Sequence, residues 1–176
     1  MIQELKPHDD IQRNDFENFV LSKISEDDSW IQRILWTDEA HFILSGSVNI
    51  HNCRAWGTSN QCAKLEKSLH FDYVTEWCGM TCDFLVDPYF FETPTTNSPK
   101  CCSVTETSYG EMLREQLIPA LQERHCLETT IFMQEDAPLH IAKPVKILLH
   151  VTFETDRVIS KGFENALPPC LPDLHP

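Results

Sequence analysis

Ile34-Leu35-Trp36-Thr37-Asp38-Glu39-Ala40-His41-Phe42-Ile43-Leu44-Ser45 carries the strongest structural signal in the chain. An apolar run, Ile34 to Trp36, ends on the polar Thr37-Asp38-Glu39, and a second apolar run, Phe42 to Leu44, follows. Short apolar runs bounded this way read as buried strands. The sequence therefore predicts a strand pair over 34–38 and 41–45, with Gly46 marking a turn. The first strand delivers a carboxylate, Asp38, to the end of a sheet, where α/β folds collect ligands and metals. The pattern recurs at Thr130-Ile131-Phe132-Met133-Gln134-Glu135, which runs into Asp136 and then Ala137-Pro138-Leu139-His140. Two Asp residues at two strand ends suggest a divided metal site.

The other segments fall around these two. Residues 9–27 read as a helix with Asp9 or Asp10 as N-cap and Ile11, Phe16, Phe19, Val20 and Ile24 roughly on one face. Val74–Cys78 reads as a strand with Phe84–Val86 pairing beside it, and the Thr-, Ser- and Pro-rich residues 93–107 as a loop. Ser108-x-x-Glu111 is a capping box, opening a helix with Leu113, Leu117 and Leu121 on one side. Residues 128–135 read as a strand, 138–151 as a helix that Pro144 interrupts, and Val158-Ile159 as a last short strand. Strands first, then helix and strand in alternation, is the pattern of an α/β domain.

A chain of 176 residues with 41% hydrophobic content is expected to bury one core. No run approaches the ~18 apolar residues of a membrane span, and the polar, acidic start carries no secretory signal. The eight cysteines then read as reduced thiols. Cys78-x3-Cys82 and Cys101-Cys102 lack the paired spacing of a zinc site. The net charge of −13 is a poor match to a protein that holds DNA unaided, because phosphate affinity comes largely from Lys and Arg. The plain reading is a solvated acidic face; the sharper one places basic DNA-holding parts outside this chain.

Trp36-Thr37-Asp38-Glu39-Ala40-His41-Phe42 resembles the first catalytic-Asp segment of mariner-superfamily transposases, and Gln134-Glu135-Asp136-Ala137-Pro138-Leu139-His140 the second. In order with them come Asn52–Trp56, Val74–Gly79, Pro88–Glu92 and a proline-rich Leu167–Pro176, with Leu5-Lys6-Pro7-His8 at the start. The resemblance implies an RNase H-like fold, a central mixed sheet flanked by helices, incomplete at its C-terminus. It implies residues 1–30 as a helical lead-in and 31–176 as the DDE endonuclease domain. It implies Mg²⁺-dependent cleavage of DNA at element ends and strand transfer, with Mn²⁺ as a substitute in a two-metal site.

Asp38 and Asp136 are then the expected catalytic and metal-holding residues. Glu39 and Glu135 flank them as lesser candidates, since adjacent strand residues point to opposite faces. Arg54, Lys143 and Lys146 are the candidate phosphate contacts, and His140 is expected beside the site. The family's third acid follows the matching Asp173 by about five residues, near position 178, so two of three acids are expected. Asp136 also joins Ala137 directly, where the family has a small residue between. Weak or absent activity follows as the expectation, with a non-catalytic interaction module, or a decayed fragment, as the alternative. The implied partners are transposon-end and target DNA in the nucleus, with room for a homodimer and no membrane.

Overall fold

The structure is a computed structural model that describes residues 8–44, 73–93 and 100–168. Its centre is a five-stranded mixed sheet built from β1 (Ile34–Ile43), β2 (Tyr73–Met80), β3 (Leu85–Phe90), β6 (Ile131–Met133) and β7 (Val158–Ile159), in the order β3-β2-β1-β6-β7. The first three strands are antiparallel neighbours, whereas β6 runs parallel to β1 and to β7. A two-stranded ladder, β4 (Glu92–Thr93) with β5 (Lys100–Cys101), overlaps the 93–107 segment expected to be loop.

Alternation along β1 and β6 divides two cores. Leu35 and Phe132 enter one cluster, with Trp77, Tyr109, Leu113, Leu117, Leu121, Val145 and Leu149. Ile34, Ile131 and Met133 enter the other, with Trp30 and with Phe16, Phe19, Val20 and Ile24 of α1 (Asp9–Glu26). A strand buried on both faces must be apolar throughout, which is why Ile131-Phe132-Met133 shows no alternation. α2 (Glu106–Met112), a π-helical turn (Leu113–Leu117) and α3 (Ile118–Glu123) form one continuous helical stretch, and with α4 (Lys143–Thr152) they supply the first cluster. Pro119 has no N–H to give to the carbonyl four residues earlier, and the wider turn just before it accommodates that loss.

Several sequence expectations change in detail. Residues 34–44 do not form a hairpin; Ser45 and Gly46 lie outside the described residues. Ile34–Ile43 is one ten-residue strand, paired with β2 from Trp36↔Met80 to Ile43↔Tyr73. The polar interruption at Thr37–His41 holds no Gly, Asn or Pro to turn the chain; it marks where the strand leaves the core and becomes exposed. His8 occupies the N-cap of α1 and contributes no side-chain bond, so neither Asp9 nor Asp10 caps it. The capping box shifts by three residues: Thr105 accepts from the Ser108 N–H, and Ser108 Oγ accepts from the Thr105 N–H. Pro144 does not break a helix. Residues 138–142 are turns, and Pro144 sits in the first turn of α4, where a missing N–H costs nothing.

Candidate active site

β1 and β6 are parallel neighbours whose shared ladder ends at Trp36↔Met133. Asp38 lies two residues beyond that pair and Asp136 three beyond it, so both acids project from the same edge of the sheet. Both are exposed. Asp38 still belongs to β1, opposite Cys78 of β2. It shares strand parity with Ile34 and Trp36, which pack with the α1 side of the sheet. Its Oδ1 accepts from the Glu39 N–H at 2.8 Å. Asp136 lies in the loop after β6, and its Oδ1 accepts from the Lys161 N–H at 3.1 Å.

Asp136 also lines a cleft of about 530 Å³ between α1 and residues 161–168, together with Asp15, Phe16, Lys161 and Glu164. Among the described residues, no Lys, Arg or His forms an ion pair with either Asp38 or Asp136.

Glu39 points to the other face and does something different. Its Oε1 meets His140 Nε2 at 3.0 Å, across 101 residues of sequence. His140 is 3% exposed, and its Nδ1 lies 3.2 Å from the Glu135 carbonyl. A carbonyl only accepts, so the bond to Glu135 has Nδ1 as its donor. The Tyr109 ring lies against the imidazole at 4.4 Å between centroids. Tyr109 Oη donates to Gln134 Oε1 at 3.0 Å, and Gln134 Nε2 donates to the His140 carbonyl and to Ser160 Oγ. Burial drives the Tyr109 phenol well above its usual range, and the nearby Glu39 charge pushes the same way. Thr37 Oγ1 donates to the Met133 carbonyl at 2.8 Å and adds one more tie between β1 and β6.

The other candidates divide. Lys143 is exposed at the start of α4. Lys146 is half-buried and lies over Gly162, whose φ of +85° is natural only to glycine and whose missing Cβ leaves room for the ammonium. Lys146 therefore sits on the loop whose Lys161 N–H holds Asp136. Arg54 lies outside the described residues, as do Asn52–Trp56 and most of the proline-rich end. Tyr109, Gln134, Ser160 and Lys161 were missed from the sequence. Gln134, a polar residue inside an apolar run, was the one signal available for this network.

The donor set suits a hard cation. Each Asp has one oxygen held by a single backbone N–H, leaving oxygen for a ligand. Mg²⁺ is commonly bound through one or two carboxylates with water and substrate phosphate completing its shell. Among the described residues, no three His, Cys, Asp or Glu side chains converge to form a closed cage.

No protein-family model matches the chain, and no curated protein does. Solved structures do. The Mos1 mariner paired-end complex with Mn superposes at a TM-score of 0.70 and 18% identity, over 98% of this chain and 46% of that one. The paired-end complex with the left transposon end gives 0.67 at 18% identity, over 96% and 44%. The catalytic domain of Mos1 mariner transposase gives 0.60 at 17% identity, over 86% and 60%. This chain thus spans less than half of the Mos1 chains in the paired-end complexes. At this identity the likeness establishes architecture, and the five-stranded mixed sheet with helices on both faces is the RNase H-like fold of the Mos1 transposase catalytic domain.

Proposed function

We propose that the chain is a mariner-type DDE endonuclease domain in which Asp38 and Asp136 hold divalent metal, Mg²⁺ or Mn²⁺, against a DNA phosphodiester. One observation carries this reading: two exposed aspartates leave the same edge of adjacent parallel strands, β1 and β6, in a sheet shared with a transposase catalytic domain. Asp38 and Asp136 would hold the metal, which when bound would supply activation of the attacking water or 3′-hydroxyl and charge stabilisation at the leaving oxygen. The chain's own part is to present carboxylate oxygens, and Lys143 and Lys146 are suited to meeting phosphate from α4. DNA as substrate implies the nucleus.

We further propose that the 176-residue chain by itself cleaves weakly or not at all, since two family-type acids rather than three leave this edge among the described residues. Following thermal unfolding during a Mn²⁺ titration tests metal binding, because a ligand of the native state alone raises stability by about 2.7 kcal/mol at a hundredfold excess over Kd. Stabilisation in the parent, lost in Asp38→Asn and Asp136→Ala, supports the reading. A cooperative transition that no metal shifts refutes it. Robust Mg²⁺-dependent plasmid nicking abolished by Asp38→Asn would overturn the proposed weak activity. The net charge of −13 favours the second reading, a non-catalytic module with protein partners. A folded chain indifferent to metal would leave that reading standing.

A further inference from the structure

We propose that Glu39 and His140 are positioning residues that set the spacing of Asp38 and Asp136; this rests on the metal-holding reading above. The β1–β6 ladder stops at Trp36↔Met133, so backbone pairing between these strands ends before either acid is reached. One imidazole spans the gap. His140 Nε2 holds the side chain of Glu39, the residue after Asp38, at 3.0 Å. His140 Nδ1 holds the carbonyl of Glu135, the residue before Asp136, at 3.2 Å. A single buried ring therefore bridges the immediate neighbours of both acids.

The ring has little freedom of its own. Tyr109 lies against one face, and Gln134 grips the His140 carbonyl while tying it to Ser160. Ser160 in turn precedes Lys161, whose N–H fixes the Asp136 carboxylate. Stability alone is a weak reason for such a pair. The desolvation of a buried His–Glu contact offsets much of its attraction, and apolar side chains of similar volume hold a core as well. What apolar residues do not supply is a directional link that fixes the distance between two loop ends.

The experiment uses Mn²⁺ alone as the probe and reads the concentration giving half-maximal thermal stabilisation, alongside the melting temperature without metal. Glu39→Ala cuts the link at the β1 side. His140→Asn cuts it at Nε2 and keeps a donor where Nδ1 was. Each is expected to raise the Mn²⁺ midpoint roughly tenfold, the lower end of what removing a partner of metal-binding groups costs. The double variant is expected near the same tenfold, because both changes break one link. Glu39→Gln keeps a hydrogen-bonding group against His140 Nε2 and is expected within about threefold of the parent, which separates geometry from the loss of a charge. Leu121→Ala, which opens a cavity in the buried core, lowers the metal-free melting temperature and leaves the midpoint in place.

Midpoints within twofold of the parent in both Glu39→Ala and His140→Asn would overturn the proposal, as would multiplicative effects in the double variant or an equal shift in Leu121→Ala. A parent that binds Mn²⁺ through Asp38 and Asp136 while the variants bind equally well sinks only the positioning role. A parent that Mn²⁺ does not stabilise sinks the metal reading and this inference together.

Discussion

Gln134→Leu is expected to be among the most damaging near-isosteric substitutions in this chain. Gln134 is 1% exposed, on the edge of a core otherwise filled by Phe132, Val145 and Leu149. On apolar burial alone, leucine would improve the site. The hydrogen bonds decide otherwise. Oε1 accepts from Tyr109 Oη, and Nε2 donates to the His140 carbonyl and to Ser160 Oγ, each at 3.0 Å. Leucine leaves three polar groups without a partner, and Tyr109 and Ser160 are wholly buried.

Each stranded group costs about 1–3 kcal/mol, and the added methyl burial returns about 1–2 kcal/mol. The net loss is about 4 kcal/mol, a value reached by few point substitutions. For a chain of this size it lowers the melting temperature by roughly 8–16 °C. Urea unfolding of the parent, Gln134→Leu, Tyr109→Phe and the double variant measures it. Tyr109→Phe alone strands only one acceptor and is expected to cost about 1–2 kcal/mol. Its effect should shrink in the Gln134→Leu background, where the phenol has already lost its partner. A Gln134→Leu protein within 1 kcal/mol of the parent, or full additivity in the cycle, would refute the reasoning.

Three further outcomes are expected. Tyr109 makes stability fall at high pH. Below about pH 10 the phenol stays protonated in both states; above it only the unfolded chain releases the proton, so the folded state loses up to about 1.4 kcal/mol per pH unit from this residue. Urea unfolding at pH 9 and 11 should show a smaller drop in Tyr109→Phe than in the parent. Gly79→Ala is expected to cost about 1–3 kcal/mol, because a Cβ there meets the Trp77 ring at 3.1 Å and Leu35 at 3.3 Å inside the packed core. A melting temperature equal to the parent's would contradict that. Gly162→Ala is expected to cost about 1 kcal/mol through its positive φ and to displace the Lys146 side chain, read by thermal unfolding and by faster chemical acetylation of Lys146.

Much of the architecture was legible locally. Apolar runs announced β1, β2, β6 and β7, and the Leu113, Leu117, Leu121 spacing announced a buried helix face, because burial of an apolar stripe is written directly into composition and period. The two strand-end aspartates were legible for the same reason: a carboxylate after an apolar run must leave the core. The single long β1 was read as two strands, although Thr37–His41 lacks the Gly, Asn or Pro of a tight turn; a polar interruption alone does not separate a turn from an emergence into solvent. Its partner over Tyr73–Met80 answers that through the ladder.

By itself, then, the sequence determined the strands, the buried helix face and two acids at strand ends, because these depend on residues adjacent in the chain. Packing of the whole domain sets β1 beside β6 and turns Glu39 away from Asp38 to meet His140 across 101 residues. Only it decided that Gln134 joins Tyr109, His140 and Ser160 in one buried network. A hydrogen bond is sensitive to tenths of an ångström and to angle, and its partners here come from separate elements. Their meeting is set by how the sheet and helices pack, which no local pattern of residues encodes.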